Sequence, residues 1–407
     1  MLKEISPEDS NNVQLIDDVT SDKCLNTSSN TYTNIANNVT QLFISDQDIA
    51  KLFLVFCTLC GVIGLTGCLG NAITMATYLS MKLKDGVMIS FFGLAVSDFL
   101  YDVTMLAIVV SDGLYMLERK SSFKTWFLVE PFGVYVFCSN IGVMIYLVTI
   151  LITTFIAIIR CLCVSMPLQF RNLLTRRRSV WCIAIFSLVS VVSYVPILLN
   201  MTMQESFDMS INSTRYRLKI SPYREEIKTA IWISRDLLVT LITEVIVIVC
   251  VVIMIKNLQT ATKFRNKSVN YSIHPTLPCV AVFGIENKSD STQIINTLEP
   301  NTKHINIQSN KMSTKDVSVV QQVVLISSIY IVCNMPKILI NMALFFVPDL
   351  ALEKPYQNVY LTVVGIMELF QAFNSSFNIC VYLKFNSKFR KHLCIFNKQK
   401  CFHFVNI

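Results

Sequence analysis

The sequence predicts an all-α membrane protein built as a seven-transmembrane helix bundle. Of its 407 residues, 53% are hydrophobic and only 15% are charged, and the mean hydropathy is +0.52. A water-soluble core does not accommodate so large an apolar excess. A helix needs about 20 apolar residues to cross the hydrocarbon layer, and seven stretches of this chain qualify. Lipid offers the backbone no hydrogen-bond partner, so each stretch must be helical.

The spans divide the chain into three parts. Residues 1–50 are rich in Asn, Ser, Thr and Asp, which is typical of a disordered tail. They contain no apolar signal sequence, so span one is expected to anchor the chain. Residues 51–392 form the predicted transmembrane domain, with a cytoplasmic loop at about 257–315, and residues 393–407 form a cytoplasmic tail. The predicted spans are 52–79, 87–111, 132–164, 179–200, 229–256, 317–347 and 357–383.

Basic residues gather on one side of these spans. They follow spans one and three and fill the tail after span seven, whereas residues 1–50 are acidic. The positive-inside rule therefore predicts that the N-terminus lies outside and the C-terminus in the cytoplasm. The expected location is the plasma membrane. The net charge of +8 then reflects topology and does not predict a nucleic-acid partner. The basic residues are Lys82, Lys84, Arg171, Arg176, Arg177, Arg178, Lys384, Lys388, Arg390, Lys391, Lys398 and Lys400.

The longest predicted outer connection is 201–228. Basic residues at positions 215, 217 and 219 alternate there with hydrophobic ones at 216, 218 and 220, which is the period of a β-strand. We expect a short hairpin over the mouth of the bundle. Glycosylation sequons in the predicted outer segments begin at Asn26, Asn38, Asn200 and Asn212.

Short motifs stand at fixed places in the spans. In chain order they are Gly70-Asn71, Leu94-Ala95-Val96-Ser97-Asp98, Ile159-Arg160-Cys161, Met166-Pro167-Leu168, Cys333-Asn334-Met335-Pro336, Asn378-Ile379-Cys380-Val381-Tyr382 and Phe389-Arg390. In this order and spacing the chain resembles the rhodopsin-like (class A) G protein-coupled receptors over about residues 52–392. The run after Arg160 resembles divergent invertebrate, particularly molluscan, receptors of chemosensory type, and a peptide receptor is the alternative.

The chain departs from the family pattern at several places. Ile159 replaces the usual acid, Asn334 replaces a tryptophan, and Ile379 replaces a proline. The family's disulfide to the second outer loop cannot form, because 201–228 contains no cysteine. A bond between Cys138 and Cys24 is one substitute, and a free, packed Cys138 is the alternative.

The resemblance implies a polar network inside the bundle. Its members occupy positions that hold a sodium ion and water in the family, and the alternative is a hydrated polar cluster without specific sodium. No other cofactor is predicted. The residues are Asp98, Asn71, Thr149, Asn374, Ser375 and Asn378.

The resemblance also implies a signalling switch at the cytoplasmic end. Arg160 would pair with Asp316, which lies twenty residues before Pro336, and so tether spans three and six in the resting state. The alternative is two cytoplasm-facing charges that never meet. Tyr382 belongs to the same switch.

A ligand pocket is expected nearer the outer side. Lys337 and Glu368 occupy pocket-facing positions by the resemblance, either as a structural ion pair or as the recognition element for a charged ligand. Arg235 and Asp236 either join this pocket or lie at the outer interface. The remaining predicted pocket residues are Asn334, Asn341, Gln371 and Asp102.

The expected function is that of a receptor. It binds an amino-acid-like, carboxylate-bearing or peptide ligand and signals to a heterotrimeric G protein. Gly142 and Ala372 stand where amine receptors and opsins have their ligand-binding aspartate and lysine, so neither an amine nor retinal is favoured. No nucleophile with a base and no phosphate-binding loop is apparent, so no enzyme is predicted. The alternative is a seven-span ligand-gated ion channel of odorant-receptor type with inverted topology.

A short membrane-surface helix 8 is expected after span seven. Phe389 and its basic neighbours fit an amphipathic helix there. Cys394 is the candidate for lipidation.

Overall fold

A computed structural model describes residues 46–120, 127–166, 175–208, 212–271, 314–347, 349–350 and 354–396. In chain order the elements are α1 (Asp46–Ser80), α2 (Gly86–Lys120), α3 (Pro131–Ser165), α4 (Arg176–Leu199), β1 (Met201–Asp208), β2 (Ser213–Ile220), α5, α6 (Thr314–Phe346), α7 (Gln357–Phe385) and α8 (Ser387–Phe396). Helix α5 runs without a break through an α-helical start (Arg224–Ile231), a π-helical segment (Trp232–Val239) and a long α-helical part (Thr240–Tyr271).

Six described helices are long and apolar enough to cross a membrane, which marks the chain as a multi-pass membrane protein. They contain the stretches Lys51–Ser80, Gly86–Glu118, Pro131–Ser165, Arg176–Leu199, Thr229–Thr260 and Val317–Phe346. The predicted count of seven is therefore not confirmed. Helix α7 forms where the last span was predicted, but it is less apolar because one of its faces carries Glu368, Gln371, Asn374 and Asn378.

Two helices extend well past their predicted ends. Helix α2 continues from the expected end at 111 to Lys120, and α5 continues from 256 to Tyr271. Residues 257–271 contain neither glycine nor proline, so nothing in that segment stops the helix in water. The rest of the predicted cytoplasmic loop, 272–313, lies outside the described residues.

The core lies along α3, which packs against α2, α4, α5 and α6. Helix α7 packs against α1, α2 and α6. Large apolar side chains on α1 and α4 remain exposed instead, with Leu65 and Leu188 each at 62%. Such a distribution suits helices whose outer faces contact lipid rather than water.

The inner end, defined here as the end that carries α8, is closed by an aromatic cluster. The ring of Tyr382 lies 5.5–5.7 Å from those of Tyr78, Phe91 and Phe389. Phe389 is fully buried while its neighbours Lys388 and Arg390 are exposed. Helix α8 is the short helix that was expected after span seven.

The outer end, at the opposite side of the bundle, carries the predicted β-hairpin. Strands β1 and β2 pair antiparallel, with Met201 opposite Ile220 and Asp208 opposite Ser213. The backbone of Tyr216 in β2 also binds the segment before α3. Its N–H donates to the carbonyl of Leu128, and its carbonyl accepts from the N–H of Glu130, each at 2.9 Å. These hydrogen bonds hold the hairpin against the segment that precedes α3.

Candidate functional site

A buried ion pair fastens the hairpin to the bundle. Arg215 of β2 donates from Nη1 to Glu118 at the end of α2, and each of the two side chains is 5% exposed. A second carboxylate, that of Glu130, lies 3.9 Å from Arg215 Nη2. This charged contact joins the hairpin to α2 and to the residue that precedes α3.

Beneath the outer end, Asp236 lies between two cations. Arg235 donates from Nε and Nη2 to the carboxylate of Asp236, and Lys337 Nζ of α6 lies 3.8 Å from Asp236 Oδ1. The side chains are 7%, 15% and 6% exposed for Arg235, Asp236 and Lys337. Two positive charges and one negative charge leave this cluster with an excess of one positive charge.

The π-helical segment of α5 positions this cluster. It holds Trp232, Arg235 and Asp236, and such segments occur frequently at functional sites. Arg235 lies over the ring of Tyr194 on α4, with Cζ 3.5 Å from the ring centroid, and also donates to the Tyr194 hydroxyl. The indole of Trp232 donates to Asn341 Oδ1 at 3.0 Å, and Asn341 Nδ2 donates to the Asp236 carbonyl at 2.9 Å.

A line of polar side chains continues from this cluster towards α7. Lys337 Nζ lies 5.5 Å from the ring centroid of Tyr146 on α3, and the Tyr146 hydroxyl donates to Asn334 Oδ1 at 3.0 Å. The ring of Tyr146 packs 5.1 Å from that of Tyr101, whose hydroxyl donates to Gln371 Oε1 at 3.0 Å. The structure therefore connects α3, α6, α2 and α7 through two tyrosines.

The ion pair between Lys337 and Glu368, one of the two arrangements expected from the sequence, does not form in the structure. Lys337 instead lies beside Asp236, which belongs to the π-helical segment of α5. Glu368 lies on α7 one turn before Gln371, and it interacts electrostatically with Asp112 of α2. Asp112 in turn accepts a hydrogen bond from the thiol of Cys57 at 3.3 Å. Two carboxylates, those of Glu368 and Asp112, thus stand on α7 and α2, whereas Arg235 and Lys337 stand on α5 and α6 with Asp236 between them.

Two fully buried carboxylates lie deeper in the bundle, one helical turn apart on α2. Asp98 accepts hydrogen bonds from Thr149 Oγ at 2.9 Å and from Asn378 Nδ2 at 2.8 Å. Asp102 accepts from Asn71 Nδ2 at 2.9 Å and from Ser375 Oγ.

Asp102 was assigned to the ligand pocket from the sequence. The structure places it with the polar network instead, because its carboxylate is directed at Asn71 and Ser375. Asn374, also predicted to join the network, is buried on the same helix as Asn378 and is not a donor to either carboxylate.

The two carboxylates have no arginine or lysine partner among the described residues. A buried carboxylate is costly unless a cation, a proton or hydrogen bonds compensate it. Asp98 and Asp102 repel each other when both are ionised, so the pair favours uptake of a proton or a cation with oxygen ligands. In the described part of the chain, no three His, Cys, Asp or Glu side chains form a metal-binding group.

The predicted switch residues lie at the inner end. Arg160 is half-buried near the end of α3, and Pro336 lies inside α6. Tyr382 is fully buried in the aromatic cluster. The side chain of Asp316 lies outside the described residues, so its pairing with Arg160 stays a prediction.

The predicted modification sites are described in part. Asn212 is exposed beside the hairpin turn, whereas Asn200 is half-buried and donates its amide to the Pro196 carbonyl at 2.8 Å. Cys138 is a half-buried free thiol. Asn26, Asn38 and Cys24, and the side chain of Cys394, lie outside the described residues.

Sequence reasoning missed several members of the site. Asp112 and Glu118 lay beyond the predicted end of span two, and Tyr101, Tyr146 and Tyr194 gave no signal because aromatic side chains are common in apolar spans. The predicted pocket residues of span six did indicate the side of α6 that faces the cluster. Asn334, Lys337 and Asn341 are all buried.

The sequence of the chain matches no protein-family model, and no curated protein matches it significantly.

Proposed function

We propose that the chain is a rhodopsin-like G protein-coupled receptor of the plasma membrane, with its N-terminus outside the cell. It binds an amino-acid-like, carboxylate-bearing or peptide ligand within the helix bundle and signals to a heterotrimeric G protein. The sequence motifs support the family. The buried charge cluster supports the ligand class.

In this proposal α7 is the seventh span. Its polar residues Gln371, Asn374 and Asn378 are buried, whereas Phe373 and Leu383 are 42% and 37% exposed. A helix with that division can face a polar interior on one side and lipid on the other.

The observation that carries the ligand class is the unbalanced positive charge around Arg235. Its Nη1 is buried and has no hydrogen-bond partner within the described residues. A buried guanidinium nitrogen without a partner is costly, and a planar carboxylate is the group that matches its geometry best. Arg235 and Lys337 would share that carboxylate. Glu368 and Asp112, on the α2 and α7 side, would face the ammonium group of an amino-acid-like ligand.

The proposed mechanism is a shift between two packings of the bundle. A ligand carboxylate near Lys337 would change the contacts of Tyr146 and Asn334, which join α3 to α6. The inner half of α6 would then move away from Arg160 and open a site for the G protein.

The test is a reporter assay on the full chain. Cells that express it with promiscuous G proteins are screened with amino acids, small carboxylates and peptides. Replacing Lys337 by methionine should raise the half-maximal concentration of an active carboxylate about tenfold to a hundredfold, since one charge-assisted contact is lost. Lys384→Met, an exposed lysine at the end of α7, is the matched control and should respond like the wild type.

The signalling step is tested in the same cells. Arg160→Ala should abolish the reporter response at matched surface expression. A response that survives Arg160→Ala intact, or a Lys337→Met variant as sensitive as Lys384→Met, would contradict the proposal.

A further inference from the structure

A long apolar crevice lies on the outside of the bundle, between α2, α3 and α4. Its volume is about 530 Å³, within the range of sites that hold a small ligand. On α2 it extends from Ile89 to Leu100, which corresponds to about 16 Å along a helix. Leu100, Val180 and Val191 line it and are 43–50% exposed. The crevice therefore opens on a face where lipid is expected.

The walls of the crevice offer no free hydrogen-bonding hydroxyl. Three serines line it, and each donates within the protein: Ser97 to the Leu94 carbonyl, Ser187 to that of Ile183, and Ser190 to that of Met144, at 2.9, 2.9 and 2.5 Å. The remaining lining residues are aliphatic side chains, a methionine, a phenylalanine and a glycine. An occupant without polar groups, such as a hydrocarbon chain, fits this surface.

The inner end of the crevice lies beside a cluster of positive charge. Val180 of the crevice is only four residues from Arg176, the first residue of α4. Arg176 and Arg177 are both exposed. Trp181 follows on the same helix and is 69% exposed, as is typical of a tryptophan at a membrane interface. An apolar crevice thus ends where a charged headgroup would lie.

We propose that this crevice binds an acyl chain of an anionic phospholipid whose headgroup is held by Arg176 and Arg177. The crevice accounts for the chain and the two arginines for the headgroup. A sterol would leave the two arginines without a counter-charge. This site is separate from the cluster around Asp236 and does not depend on the proposed signalling.

The experiment uses the full-length protein, purified in detergent. It is exposed to phosphatidylserine that carries a photoreactive group in the middle of its acyl chain, and the labelled residues are mapped by mass spectrometry. Phosphatidylcholine with the same chain and a photoreactive sterol are the comparison probes. We expect phosphatidylserine to label residues that line the crevice, and to do so at lower concentration than phosphatidylcholine.

Two variants separate the headgroup from the chain. The double substitution Arg176→Gln/Arg177→Gln should raise the phosphatidylserine concentration needed for half-maximal labelling about thirtyfold, since each interfacial cation contributes to binding an anionic lipid. Its matched control neutralises two exposed lysines of α8, Lys388→Gln/Lys391→Gln. Labelling by phosphatidylcholine should not change in either variant.

The chain site is tested with Ser187→Phe, which places a ring in the crevice and should abolish labelling there by both phospholipids. Val189→Phe, on the exposed surface of α4 outside the crevice, is its control. Thermal unfolding verifies that each variant is folded. If a variant does not fold, the labelled positions and the lipid preference of the wild-type protein still test the proposal. Equal labelling by the two phospholipids, labelling elsewhere, or preferential labelling by the sterol would overturn the proposal.

Discussion

Replacing Asp236 by asparagine would remove the carboxylate that lies between Arg235 and Lys337 while keeping the shape of the side chain. At the 3.8 Å that separates Lys337 Nζ from Asp236 Oδ1, the attraction is about 4 kcal/mol for an effective dielectric constant of about 20. Breaking a buried pair on one side costs about 3–5 kcal/mol. We expect Asp236→Asn to lower the free energy of unfolding by about that amount, because two buried cations are left facing each other.

The assay is denaturant unfolding of the purified protein in detergent, with Lys337→Met as the second arm of a double-mutant cycle. In the Lys337→Met protein only Arg235 is left unpaired by the loss of Asp236. The double variant should therefore be less destabilised than the sum of the single ones, by about 0.5–3 kcal/mol. Asp85→Asn, an exposed carboxylate before α2, is the control and should change stability by less than about 0.5 kcal/mol.

Two results would refute this reasoning. One is a strictly additive cycle, which would mean that Asp236 and Lys337 do not interact. The other is an Asp236→Asn variant that is no less stable than the Asp85→Asn control.

Three other substitutions test separate parts of the account. Arg215→Met leaves Glu118 buried and unpaired, so it should lower the free energy of unfolding by about 3–5 kcal/mol and speed hydrogen exchange in both strands of the hairpin. Adding Glu118→Gln should restore part of the protection, and unchanged exchange would contradict the contact. Gly67→Ala places Cβ 2.2 Å from a side-chain oxygen and should destabilise the fold by about 1–3 kcal/mol, whereas Gly113→Ala, with nothing within 4 Å, should not; equal stability of the two would count against the packing described. Asp316→Ala should raise basal reporter signalling at matched surface expression, and unchanged basal activity would contradict the predicted pairing of Asp316 with Arg160.

The sequence predicted the helices and the hairpin because their signals are local. Apolar runs of sufficient length mark six helices that could cross a membrane, and alternation of basic and hydrophobic residues marks β2. The ends of two helices lie beyond their predicted positions. Helix α2 continues through Asp112 and Glu118, since other elements supply partners for these polar residues.

Pairings across the bundle could not be read from the chain. Regular α-helical spacing gave no means of placing Asp236 beside Lys337, because Asp236 lies in the π-helical segment of α5, where the helical period differs. The contact of Arg215 with Glu118 joins residues 97 positions apart. Alternating charged residues indicate that a segment is a strand, but they do not indicate which residue each charge pairs with.

The members of the polar network were predicted more accurately than the ion pairs. The family resemblance predicted that Asp98, Thr149 and Asn378 belong to one network, and in the structure Thr149 and Asn378 both donate hydrogen bonds to Asp98. It did not separate the surroundings of Asp98 from those of Asp102. The two carboxylates lie on the same face of α2, and only the side chains opposite them decide which donors each one has.

The number of membrane crossings tests the central claim most directly. If α7 spans the membrane as proposed, the two ends of the chain lie on opposite sides. An epitope tag at the N-terminus should then stain intact cells, and a tag at the C-terminus should stain only permeabilised cells. Staining of both tags or of neither in intact cells would indicate an even number of crossings and contradict the receptor topology, and staining of the C-terminal tag alone would indicate the inverted topology of the channel alternative.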